Sequence, residues 1–232
     1  MKNNLIDISI KNVKKIVSYS LIGFLLFLLI LGIAFSLPVV QTSIAKYVMT
    51  SINDDFGTDI SIDEVAISPF GGVKFKNVLI RDHHHDTLIY SNRIKTSILD
   101  GKKLLDGDLI FSELHLDGVL FNLKTYKKEK LTNLDVFINA FGKDTTATDK
   151  HFLLTAKEAK ITKGHFILTD ENRVVPKDVD FTKLNIQLSD FKLYGPDVTT
   201  SILKMSFLDH RGIYVKRLSS LFSYTKKQLK LT

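Results

Sequence analysis

The residues best suited to chemistry are three consecutive histidines, His83-His84-His85, flanked by Asp82 and Asp86. Imidazoles beside carboxylates are common donors for zinc and copper. On an extended chain, however, neighbouring side chains point to opposite faces, so three in a row do not converge on one ion. The other histidines (His115, His151, His165, His210) are scattered. The run therefore reads as a polar hairpin loop between strands ending at Ile80 and starting at Leu88. No metal is expected there, and the three histidines are expected to be replaceable by serine. Asp63 and Glu64 are adjacent, and the same alternation separates them, which argues against paired acid–base work. Gly71-Gly72 lacks the lysine context of a phosphate loop, and no G-x-S-x-G or H-E-x-x-H occurs. The chain has no cysteine, which excludes thiolate sites, disulfides and a cysteine nucleophile. Neither enzymatic activity nor a cofactor is expected.

Since no residue cluster suggests a reaction, the elements themselves carry the information. The chain of 232 residues is 44% hydrophobic, enough for a sizeable core, and has a formal charge of +7. The lysine runs at Lys124, Lys127, Lys128, Lys130 and at Lys226, Lys227, Lys230 read as solvated faces. An uncharged run from Ile16 to Ala45 dominates the N-terminus. A helix over 16–38 rises roughly 34 Å, enough to cross a hydrocarbon core of about 30 Å. Lys2, Lys11, Lys14 and Lys15 precede it, so residues 1–15 are expected in the cytoplasm and the bulk of the chain outside it. A cleaved signal peptide is the competing reading, but its apolar region is usually about 7 to 15 residues. Exported and anchored, the chain is not expected to meet nucleic acid.

Residues 39–57 read as an amphipathic helix lying near the membrane surface. It starts at Pro38, runs to about Asp54 nearly continuous with the membrane span, and stops at Gly57. From Asp59 the period becomes two, the strand signal. A spelling recurs: apolar, any, apolar, two polar residues, apolar, any, apolar. The gaps are Asp63-Glu64, Lys76-Asn77, Ser112-Glu113, Lys157-Glu158 and Ser189-Asp190. A flat strand would flip its apolar face at such a gap. A bulge there restores the face and bends the strand, and bends at comparable depth curl the sheet. A tight turn at each gap is the alternative. Gly71, Gly118, Gly164 and Gly195 read as turns, with Val119, Phe121 and Leu123 continuing another strand. Two helical insertions are expected, at Gly101–Gly107 and Leu131–Phe141, and a mobile linker at 143–150. A first groove segment covers 58–142 and a second 151–232, ending mid-strand as if continuing in a longer protein.

The fold expected is thus mainly β with an N-terminal transmembrane helix: a curled antiparallel groove with short helical insertions. Its apolar stripe is the candidate site. The stripe comprises Ile60, Ile62, Val65, Ile67, Val73, Phe75, Val78, Ile80, Leu109, Phe111, Leu114, Leu116, Phe121, Ile186, Leu188, Phe191 and Leu193. With few helices to cover it, such a face presents an apolar trough fit for acyl chains. A dry core is the alternative.

These residues resemble the TamB/AsmA-like envelope proteins in their Bacteroidetes form. The likeness lies in the anchor followed by Pro38-Val-Val-Gln-Thr-Ser-Ile-Ala-Lys-Tyr-Val48, then Phe56-Gly-Thr-Asp-Ile60 and Val73-Lys-Phe-Lys-Asn-Val78. It continues through Asp86-Thr-Leu-Ile-Tyr90, Leu104-Leu-Asp-Gly-Asp-Leu109, Glu113-Leu-His-Leu-Asp-Gly118 and Val136-Phe-Ile-Asn-Ala-Phe141. The resemblance implies a single-pass inner-membrane protein whose β-taco spans the periplasm and carries phospholipid between inner and outer membranes. It also implies an Omp85/TamA-like outer-membrane barrel as partner, reached through a C-terminal region this chain lacks. The alternatives it leaves are a translocation and assembly factor for outer-membrane barrels, which would offer strand edges to their precursors, and a structural tether.

Overall fold

The computed structural model describes residues 2–68, 72–98, 109–140, 153–194, 197–225 and 228–231. Two helices lead: α1 (Lys2–Ser36) and α2 (Pro38–Phe56). Nine strands follow: β1 (Asp59–Ile67), β2 (Gly72–Arg81), β3 (Thr87–Ile98), β4 (Leu109–Thr125), β5 (Leu153–Asp170), β6 (Lys177–Tyr194), β7 (Asp197–Asp209), β8 (Tyr214–Thr225) and β9 (Gln228–Leu231). A third helix, α3 (Asn133–Ala140), lies between β4 and β5. The strands form one sheet in sequence order, and among the described residues β9 does not pair back to β1.

α2 begins and ends where its residue types dictate. Pro38 occupies its first turn and Gly57 closes it with a left-handed φ of 63°. It is not continuous with α1. Leu37, held extended (ψ 128°) as residues before proline are, breaks the two apart, and from Ser18 onward they form a pair bent by 71°. Among the described residues no single helix is long and apolar enough to cross a membrane; the bent pair together meets that measure of length and composition.

α2 lies along β1 and satisfies its outer edge with side chains. Asn53 donates to the Ile60 carbonyl (2.8 Å) and accepts from the Ile60 N–H (2.9 Å). Thr42 does both for Val65, at 3.2 and 2.9 Å. Gln41 does both for Ile67, at 3.3 and 2.7 Å. An unpaired strand edge invites foreign strands; here a helix takes the partner's place.

The sheet is mixed rather than antiparallel throughout. β4 and β5 run parallel, Leu109 opposite Leu154 and Thr125 opposite Asp170. The chain must therefore travel back along the sheet between them, as parallel neighbours require. α3 lies in the connection between them, where the sequence predicts a helix at Leu131–Phe141. The two groove segments expected from sequence are thus joined by pairing into one sheet. Gly71, Gly195, the Gly101–Gly107 insertion and the linker at 143–150 lie outside the described residues.

Every charged gap falls inside a continuous strand, so none is a turn. Pairing lapses together at two levels. One passes through Asp63, Asn77, Asn92, Gly118 and Lys163. Asn77, Gly118, Lys163 and Lys183 take left-handed φ of 50°, 65°, 52° and 51° there. The second passes the gaps at Ser112-Glu113, Lys157-Glu158 and Ser189-Asp190, where Asp190 has φ 53°. Gly118 and Gly164 are therefore not turns but sit within β4 and β5, which run on through Phe121 and Phe166. Their reason is local crowding. A Cβ on Gly118 would stand 3.0 Å from the Asn92 Cβ, and one on Gly164 3.2 Å from Leu184. Left-handed residues within a strand bend it.

Candidate functional site

Because the bulges restore the face, the seventeen apolar candidates fall in cross-strand rows whose members share one side. The register aligns Phe75, Ile94, Leu116, Ile161, Ile186, Met205 and Leu218 across seven strands. Another row runs Ile60, Ile80, Ile89, Phe121, Phe166 and Phe181. A third takes Ile67, Val73, Thr96, Leu114, Ala159, Leu188 and Ile202. Ile62 is opposite Val78, and Val65 opposite Phe75. Past the second lapse, Phe111 aligns with Ala156 and Phe191, and Leu109 with Leu154, Leu193 and Val198. Phe181 packs against Phe166 (centroids 6.2 Å apart) and stacks on Phe207 (3.9 Å).

Among the described residues this face is not fully covered. Of the seventeen, only Val65, Val73 and Val78 are buried, Ile67 is 49% exposed, and the other thirteen are half-buried. The main helix–sheet contacts are those of α2 with β1 and of α3 with β4. A dry core would remove such leucines, isoleucines and phenylalanines from water almost completely. The opposite ends of the alternation carry Lys74, Lys95, Lys160, Lys192 and Lys204, all exposed.

Ile89, Ile94, Ile161, Phe166, Phe181 and Met205 belong to the same rows but stand outside the sequence candidates. β3 lacks the gapped spelling, and in β5 and β6 left-handed residues at Lys163 and Lys183 shift the alternation. Plain period two within β3, at Ile89 and then Ile94 after one slip, was the available signal.

One end of the sheet is a dense polar cluster. The Asp82 carboxylate, 4% exposed, accepts from Tyr126 Oη (2.7 Å), Asn133 Nδ2 (2.9 Å) and the backbone N–H of His84 (2.9 Å) and Asp86 (3.0 Å). Burial pushes this carboxyl up, but those hydrogen bonds outweigh it and hold the group below its ordinary value. Burial and the same two aspartates push the Tyr126 phenol far up. Asn133 also accepts from the Lys124 N–H and donates to the Asn122 carbonyl. Lys124 bridges to Glu171 (3.0 Å). The β2–β3 turn, the segment after β4 and the β5–β6 turn are thereby tied together.

The histidines lie in that β2–β3 turn, between Arg81 and Thr87, as the hairpin reading expects. The three do not all converge, but two of them meet at one carboxylate, because they follow a turn and not a strand. His84 Nε2 is 2.8 Å and His83 Nε2 3.0 Å from the two oxygens of Glu129. The hydrogen bond from His84, then that from His83, holds the Glu129 carboxyl below its usual range. His85 turns instead toward Asp59 (3.4 Å).

No family model matches the chain, and no curated protein matches it in sequence.

Proposed function

We propose that this protein is an inner-membrane anchored, periplasmic bridge whose open apolar face conducts phospholipid between the two membranes of a bacterial envelope. The observation that carries this reading is the incomplete burial of thirteen candidate residues aligned over as many as seven strands. Acyl chains satisfy such a surface at about 25 cal/mol per Å² covered. Bends at two levels suit a taco-shaped trough, with the rows running along its length. The apolar residues of α1 from Leu21 to Ile33 are largely unburied, as an anchor's would be. Val39 (76% exposed) and Tyr47 (79%) face away from β1 on α2, which suits a helix resting in the membrane interface beside the first strands. One of the two other readings from sequence, a factor that lends sheet edges to outer-membrane barrel precursors, is opposed at β1 by the side chains of Gln41, Thr42 and Asn53. An Omp85/TamA-like barrel remains the proposed outer-membrane partner.

Site-specific photo-crosslinking tests the proposal. A crosslinker at Phe75, Phe111, Leu116, Phe121 or Leu188 labels phospholipid in cells, and one at Lys74, Ser112 or Asn122 does not. Equal labelling at both sets, or none at the first, refutes a lipid-bearing face.

A further inference from the structure

We propose that His83, His84 and Glu129 bind one divalent cation of the borderline class, Zn²⁺, Cu²⁺ or Ni²⁺, clipping the β2–β3 turn to the segment that follows β4. This does not depend on the lipid reading. The three ligand atoms lie within 4.8 Å of one another. Around an ion with bonds of about 2.1 Å, tetrahedral donors stand about 3.4 Å apart. The nitrogen–oxygen separations, 2.8 Å to one Glu129 oxygen and 3.0 Å to the other, each fall about half an ångström short of that spacing, a gap that small rotations of the rings and carboxylate can open.

The donors are held from behind. The Asp82 carboxylate accepts the His84 N–H and so fixes the turn that presents both rings. Tyr126 donates to the same carboxylate. The Glu129 N–H in turn donates to the Tyr126 carbonyl (3.0 Å), and the Glu129 carbonyl accepts from Asn172 Nδ2 (3.0 Å). Both ligand-bearing segments thus hang on one buried group, the preorganisation a metal site requires. His85, at φ 63°, is directed out of the cluster, so two imidazoles and not three converge.

The donor types suit one cation. To donate to Glu129, each Nε2 must carry a hydrogen, while one cation uses the lone pairs of two neutral rings and the carboxylate together. Two nitrogens and one oxygen select borderline metals over Mg²⁺ or Ca²⁺, and leave a coordination position for water.

The test uses the full chain without an affinity tag, in detergent, stripped by chelator and titrated calorimetrically with Zn²⁺ alone. One Zn²⁺ per chain is expected, with affinity reduced about tenfold or more in His84→Ala and in Glu129→Gln and unchanged in His85→Ala. Cu²⁺ bound at one equivalent should show two equatorial nitrogens by electron paramagnetic resonance. Circular dichroism of the stripped variants reports folding; if His84→Ala is misfolded, the isosteric Glu129→Gln decides. Absence of binding at one equivalent, affinities within twofold of wild type in Glu129→Gln, or an equal loss in His85→Ala overturns the site.

Discussion

Replacing Phe111 by arginine separates an open trough from a dry core. Phe111 is half-buried, in a row with Ala156 and Phe191. Fully burying a phenylalanine is worth about 1.5–3 kcal/mol, so a half-buried one contributes about 1–1.5 kcal/mol. An arginine on an open face keeps its stem on the apolar surface and its guanidinium in water, adding little further cost. The expected loss is therefore about 1–2 kcal/mol, or about 2–8 °C in Tm for a domain of this size. In a closed core the same change would leave a cavity costing about 3–5 kcal/mol and an unpaired charge costing several more. The assay is denaturant unfolding by circular dichroism, alongside transfer of labelled phospholipid between donor and acceptor liposomes. Phe111→Arg is expected to fold and to fail in transfer. A loss above about 4 kcal/mol would show that the face is a core, and a folded variant with undiminished transfer would show that lipid does not pass there.

Asn53→Ala should destabilise the protein by about 2–3 kcal/mol in urea unfolding, since one side chain serves both polar groups of Ile60 and accepts from Thr58. Gly118→Ala should cost about 1–3 kcal/mol in the same measurement, because φ 65° and the nearby Asn92 Cβ both oppose a side chain. Hydrogen bonds from the Arg211 side chain, then its N–H, hold the Asp209 carboxyl at about 2. Its unfolded value is about 3.9, so the unfolded chain binds the proton first. The stability Asp209 contributes is complete above about pH 4 and lost as pH falls through about 2. Asp209→Asn should flatten that part of the Tm-against-pH curve.

Several features were legible from residues alone because their causes are local. Pro38 and Gly57 bound α2 through their own backbone preferences. Period-two alternation marked the strands, and the charged gap at Lys76-Asn77 marked a bulge because a flat strand would have turned Val78 and Ile80 to water. Tertiary structure decided what depends on distant partners. Gly118 reads as a turn until Asn92 is seen pressed against it from β3. The parallel pairing of β4 and β5 depends on how the intervening chain returns, which alternation cannot encode. The edge of β1 is satisfied by Gln41, Thr42 and Asn53 from a helix whose amphipathic pattern shows only that one face is covered. His83 and His84 meet Glu129 across more than forty residues of sequence, because both turns are pinned to Asp82, a contact fixed by the stacking of β2, β3 and β4 rather than by any neighbour in the chain.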